Sequence, residues 1–207
     1  MQKTLRWALV VAAAICVAVV IGLLVGMEGK GSTREQEVFG DLCALALLLI
    51  FTALIANLGE TLGGLVVGQD KRVSTSKVQA LIWTYAIGGV LFSIVASHWV
   101  GFEDGYKAIT APGFEWAPYL VLLGGPFLAA VAARGLTGSQ VASGQAAKPP
   151  AKDGASVKQV FTDDDGNTDL IDSQYLLFNL IAVVFFVVSF LIKPGAGMPV
   201  IPTILYL

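Results

Sequence analysis

The sequence predicts an all-α membrane protein of five transmembrane helices, with the N-terminus cytoplasmic and the C-terminus extracytoplasmic. Three observations predict it. First, 56% of residues are hydrophobic and 14% charged, where soluble chains average about 45–50% and about 25%. Second, the apolar residues gather in five runs, at about 7–27, 39–67, 78–100, 118–133 and 175–192. Lipid offers the backbone no hydrogen-bond partner, so continuous runs of this kind must be helices. Third, all but four of the 13 Lys and Arg fall on one side of that layout. Lys30, Arg34, Lys107 and Lys193 lie outside. Lys3, Arg6, Lys71, Arg72, Lys77, Arg134, Lys148, Lys152 and Lys158 lie inside, as the positive-inside rule requires.

The first run follows Lys3 and Arg6, which resemble the charged start of a signal peptide. The run is long, however, and no small-x-small cleavage site follows it before Met27-Glu28. Ala13-Ala14-Ile15 before Cys16 is a poor lipoprotein cleavage box, so the expectation is an uncleaved span. Cys16 and Cys43 both lie in apolar runs, and they read as small buried hydrophobes rather than a disulfide or a metal site.

The second run is over-long against the roughly 20 residues a span needs. Its end, Ala56-Asn57-Leu58-Gly59-Glu60, carries two polar residues three apart, hence on one helical face. Asn57 and Glu60 are therefore candidate pore or intramembrane polar residues, because an ionisable group in lipid is costly and suggests function. The alternative is a helix that stops near Leu58, with Glu60 at the inner surface. Gly59, Gly63, Gly64 and Gly68 form two small-x-x-x-small spacings that would pack helices closely.

The third run fits one span, with His98 and Trp99 at its outer end. Trp99, Phe102, Tyr106, Phe114 and Trp116 suit an outer aromatic belt. The fourth and fifth runs are short, so flanking residues or a thinned bilayer must help them cross. Gly124, Gly125 and Pro126 predict a kink in the fourth, either a static bend or a hinge.

The longest loop, 135–172, starts with a Gly/Ala/Ser/Pro-rich stretch to about 157 that predicts a flexible cytoplasmic segment. Residues 157–162 and 168–171 flank an Asp163-Asp164-Asp165-Gly166-Asn167 turn signal, which predicts a small cytoplasmic β-hairpin. Asp172 or Ser173 would cap the last span. Asp163, Asp165, Asp169 and Asp172 fall at calcium-loop positions 3, 5, 9 and 12, but position 1 is Phe161. A solvated acidic turn is the default reading. The tail 194–207 is Pro-rich and apolar, so it should lie in the interface, pack on the outer loops or meet another subunit.

No nucleophile–base pair, phosphate loop or His/Cys metal cluster occurs, which argues against an enzyme and implies no cofactor. A net charge of -2 and scattered basic residues argue against nucleic-acid binding.

The segment Ser74-Thr75-Ser76-Lys77-Val78-Gln79-Ala80-Leu81-Ile82-Trp83-Thr84 resembles a Ser-x-Ser-x-x-Gln-x-x-x-Trp-Thr motif of uncharacterised bacterial multi-pass membrane proteins. Pro199-x-x-Pro202-x-x-Leu205 is similar to their tails. The resemblance implies a bacterial inner membrane and five spans, and it implies no activity. Read physically, Ser76 and Gln79 form a capping box, Lys77 snorkels to inner headgroups and Trp83 packs between helices.

Three functions remain open. The first is a non-enzymatic scaffold or accessory subunit that joins a homo- or hetero-oligomer in the lipid bilayer. The second is a homo-oligomeric ion channel ringed by Asn57 and Glu60. The third is a small-solute transporter using the Gly124–Pro126 kink.

Overall fold

The computed structural model describes residues 2–27, 32–57, 62–67, 73–125, 156, 160–161 and 170–201. They form α1 (Gln2–Met27), α2 (Thr33–Asn57), α3 (Leu62–Val66), α4 (Thr75–Trp99), α5 (Asp104–Thr110), α6 (117–125) and α7 (Leu170–Ile192). A 3-10 turn at Pro194–Ala196 follows. Three helices are long and apolar enough to cross a membrane: Thr33–Ile55, Thr75–Trp99 and Ser173–Ile192. The apolar stretch of α1, Trp7–Leu23, is shorter.

The helices form a row: α1 packs on α2, α2 on α4, and α4 on α7. Pairings along the α2–α4 contact show opposite directions. Gln36 meets Val100, Asp41 meets Ser93, and Thr52 meets Tyr85. Along α4–α7 the order is parallel instead. Gln79 meets Asn179, Trp83 meets Phe186, and Gly105 beyond α4 meets Pro194 beyond α7. Thus α4 and α7 start at one end of the bundle and finish at the other.

The core lies between α4, α7 and the elements that close the finishing end. Trp83, Ile87, Val90 and Ile94 make one stripe of α4, at the spacing of a helical face. Ala182, Phe186 and Phe190 of α7, Tyr119 and Leu122 of α6, and Met198 and Ile201 of the tail meet it. At Gly197 φ is +80°, and a Cβ there would sit 2.8 Å from Ala108 Cβ, so glycine lets the tail close against α5.

Several expectations change. Within the apolar run 39–67 the structure describes α2 as far as Asn57 and the short α3, and residues 58–61 lie outside the described residues. Val67 pairs with Val73 in a single antiparallel bridge, and Ser74 N–H donates to the Val66 carbonyl at 2.8 Å, so the chain doubles back straight into α4. Each long helix also extends beyond its apolar run, because polar residues continue the backbone ladder outside the hydrophobic stretch. Leu170 and Ile171, expected in the second hairpin strand, form the first turn of α7. Of the expected first strand, Val160 is in a 3-10 turn and Phe161 in a bend; the remaining hairpin residues lie outside the described ones, among which no strand occurs. Asp172 and Ser173 are therefore inside α7 rather than at its cap.

The capping box falls at another helix. Ser74 is the N-cap of α4 and makes no side-chain cap bond. At α2, Ser32 N–H donates to Glu35 Oε2 at 2.6 Å, and Glu35 N–H donates to Ser32 Oγ at 3.4 Å. That reciprocal pair satisfies two of the otherwise unpaired donors of a helix start.

Candidate functional site

Polar groups buried between these helices are the most informative chemistry in the chain. The largest set joins α4 to α7. Gln79 Nε2 donates to Asn179 Oδ1 at 2.8 Å, and Trp83 Nε1 donates to the same oxygen at 3.3 Å. The Tyr175 hydroxyl donates to Gln79 Oε1, and Asn179 Nδ2 donates to the Tyr175 carbonyl at 2.9 Å. Gln79 and Trp83 are four apart on α4, and Tyr175 and Asn179 four apart on α7, so each pair shares a face. Gln79 is 7% exposed and Trp83 only 1%. The amide and indole donors thus converge on one acceptor, and Tyr175 stands at the exposed side of the cluster.

Gln79 and Trp83 are two residues of the Ser-x-Ser-x-x-Gln-x-x-x-Trp-Thr motif. Their shared contact with Asn179 gives that motif a physical reading: it docks the last long helix. Lys77 of the same motif donates from Nζ to the Val67 carbonyl and so also holds the α3 turn. Asn179→Leu should remove the shared acceptor and leave two donors without a partner. The expected cost is about 1–2 kcal/mol, the upper range for hydrogen bonds between membrane helices. Unfolding titrations with sodium dodecyl sulfate in mixed micelles would measure it. A change no larger than that of Thr84→Ala, whose hydroxyl bonds only its own helix, would refute the docking role.

A second set joins α2 to α4. Ser93 Oγ donates to Asp41 Oδ1 at 2.7 Å. Thr52 Oγ1 and the Tyr85 hydroxyl lie 2.6 Å apart, and Gln36 Nε2 donates to the Val100 carbonyl at 2.9 Å. Asp41 lies about 12 Å along the axis from Thr33 at 1.5 Å per residue. The close approach is made at Gly40, which faces Ser93 and Ser97.

The finishing end of α4 carries the third set. The His98 ring stacks on Tyr106 at 4.0 Å and 8°, and its buried Nδ1 has no hydrogen-bond partner. Aromatic rings continue from the core to this end: Trp83 on Phe186, Phe186 on Tyr119, and Tyr119 on Phe114. The Tyr119 hydroxyl donates to the Pro199 carbonyl at 2.9 Å and ties α6 to the tail. Trp99 and Trp116 remain exposed. Lys107 of α5 and Glu103, the N-cap residue of that helix, form an ion pair one turn apart. Its hydrogen bond holds Glu103 below the usual carboxylate range and Lys107 above the usual ammonium range. Glu103's share is lost as pH falls through its lowered pKa, and that of Lys107 as pH rises through its raised one. Both groups are fully exposed, so the pair orders α5 weakly.

The residues singled out from the sequence are placed unevenly. Asn57 is the last residue of α2, and Glu60 lies outside the described residues. Gly63 and Gly64 are in α3, while Gly59 and Gly68 lie outside the described residues. Gly124 and Gly125 are helical in α6, and Pro126 lies outside the described residues. Asp163, Asp165 and Asp169 do so too, and Asp172 is in the first turn of α7. No cluster of three metal-ligating side chains occurs among the described residues. Cys16 and Cys43 are free thiols. The residues that pair across helices, Asp41 with Ser93 and Gln79 with Asn179, had a legible signal: each is a polar residue in or beside an apolar run.

No protein-family model, characterised protein or solved structure matches this chain.

Proposed function

We propose that this chain is a non-enzymatic scaffold or accessory subunit of a larger membrane assembly, spanning a bacterial inner membrane five times with its N-terminus cytoplasmic. The observation that carries the functional reading is that, among the described residues, the polar side chains at the α2–α4 and α4–α7 contacts are matched with one another. Asp41 is matched by Ser93, Thr52 by Tyr85, and Gln79 by Asn179 and Tyr175. A pathway for ions or solutes needs polar groups that face open space. Groups spent on one another hold helices in register instead.

The parallel course of α4 and α7 supports a fourth crossing between them. The chain leaves α4 at one end and enters α7 at the other, so it must return across the bundle. Residues 117–125 begin that return at the right end, because Tyr119 bonds Pro199 beyond the close of α7. With α1 and α2 as a helical hairpin, the total is five. The distribution of Lys and Arg supports the orientation, and the motif around Gln79 supports the bacterial setting.

The row of helices leaves α1 at one edge. Its Val11, Ile15 and Val25 are exposed, and it packs chiefly on α2. Such an edge suits a neighbouring subunit. Native mass spectrometry of the protein extracted gently from its own membrane tests the proposal. A complex with other polypeptides is the expected result. A lone chain that captures nothing would refute it. A symmetric homo-oligomer would favour the channel, and Glu60→Gln should then alter conductance.

A further inference from the structure

An open apolar groove of about 270 Å³ runs along α7. Phe178, Phe185 and Ser189 line it on α7, Trp83 forms part of its wall, and Val200 and Ile201 of the tail line it too. From Phe178 to Ser189 the groove follows α7 for about 16 Å, at 1.5 Å per residue. That is close to half of a hydrocarbon core of about 30 Å, or one leaflet.

The groove opens away from the bundle. Phe178 is 62% exposed, Phe185 73% and Val200 90%. In a membrane this side faces hydrocarbon. An empty groove there would forfeit dispersion contacts along its lining. Water finds too few polar partners on such a surface to fill it. An acyl chain meets both conditions, and the bilayer supplies it at high concentration.

One charge follows α7 immediately in the chain: Lys193, four residues after Ser189, is exposed. No carboxylate pairs with it among the described residues. We propose that the groove seats one acyl chain of an anionic phospholipid whose headgroup pairs with Lys193. The site does not depend on the scaffold reading; it rests on α7 crossing the membrane with this groove turned to lipid and with Lys193 at the headgroups. Its occupant fills the wall formed by Trp83 and Phe186, and so buttresses the α4–α7 contact from the lipid side.

The full-length protein tests this directly. It would be delipidated in mild detergent and then offered dioleoyl phosphatidylglycerol or dioleoyl phosphatidylcholine. Native mass spectrometry would count the lipids retained per chain. The expected result is one retained phosphatidylglycerol, favoured about fivefold over phosphatidylcholine, as one lysine near an anionic headgroup should give. Lys193→Gln should abolish that preference and keep one lipid of either kind. The side chain at 193 is exposed, so this variant keeps the fold. Ser189→Phe should fill the groove and remove the retained lipid of both kinds, with unchanged helix content by circular dichroism. Equal retention by Ser189→Phe and the unsubstituted protein would overturn the site. An undiminished preference in Lys193→Gln would overturn the headgroup assignment. A dimer that Ser189→Phe dissociates would overturn the lipid in favour of a second copy.

Discussion

Trp83→Ala should destabilise the protein by about 3 kcal/mol, the largest loss expected from any single truncation. Phe/Trp→Ala changes in cores cost about 3–5 kcal/mol, combining lost transfer energy with the cavity left behind. In a membrane the transfer part shrinks, because lipid is as apolar as the site Trp83 leaves. The packing part remains, and it is large here. Trp83 is 1% exposed and meets Phe186 edge-on, with ring centroids 5.8 Å apart at 69°. Its indole N–H also shares Asn179 Oδ1 with Gln79. Truncation therefore opens a void between α4 and α7 and strips a donor from their shared acceptor. Detergent-unfolding titrations followed by circular dichroism would report the loss. Trp83→Phe should recover part of it, since the ring contact survives and the N–H does not. If Trp83→Ala behaved like Thr84→Ala, on the exposed side of the same helix, the core assigned to α4 and α7 would be wrong.

Gly40→Val should cost about 3 kcal/mol by forcing α2 away from α4. A Cβ at position 40 would lie 1.9 Å from Ser97 Oγ and 2.5 Å from the Ser93 carbonyl oxygen. The hydroxyl can rotate aside, whereas the carbonyl belongs to the helix backbone and cannot. Overpacking of this kind typically costs about 1–3 kcal/mol. The branched side chain and the loss of the adjacent Asp41–Ser93 bond place this change at the top of that range. Ser97→Gly should relieve Gly40→Ala only in part, because it removes the hydroxyl and leaves the carbonyl. Gly88→Ala is the matched control: nothing lies within 4 Å of its Cβ. It should be neutral or stabilising, since alanine favours a helix over glycine by about 1 kcal/mol. A similar response from both glycines would refute the close crossing at Gly40.

The close helix crossing at Gly40 has no local signature in the sequence. The small-x-x-x-small spacings at 59–63 and 64–68 drew attention because a spacing rule can be applied without a partner. Gly40 offered no such pattern. Its role comes from Ser93 and Ser97, more than fifty residues away, and no local rule connects them. Gln79 shows the same limit. Three residues after a serine at a helix start, it satisfies the capping-box pattern. The helix begins a little earlier than the apolar run, however, and the side chain turns to Asn179 instead. The box that forms, at Ser32 and Glu35, precedes the apolar run by several residues, where hydropathy gives no helix start.

The sequence by itself determined the class of this protein: helices long and apolar enough for a membrane, with Trp83 packed between them. Both follow from short-range physics, since hydropathy and the backbone's need for hydrogen bonds act within one segment. Tertiary structure alone decided which helices are neighbours, that α4 and α7 run parallel, and that Asp41, Gln79 and Asn179 are matched across helix contacts. It also decided where the described part of the tail packs: Met198 and Ile201 enter the core and Gly197 closes against α5. A polar residue in an apolar run announces that it needs a partner, and only the packed fold supplies the partner's identity.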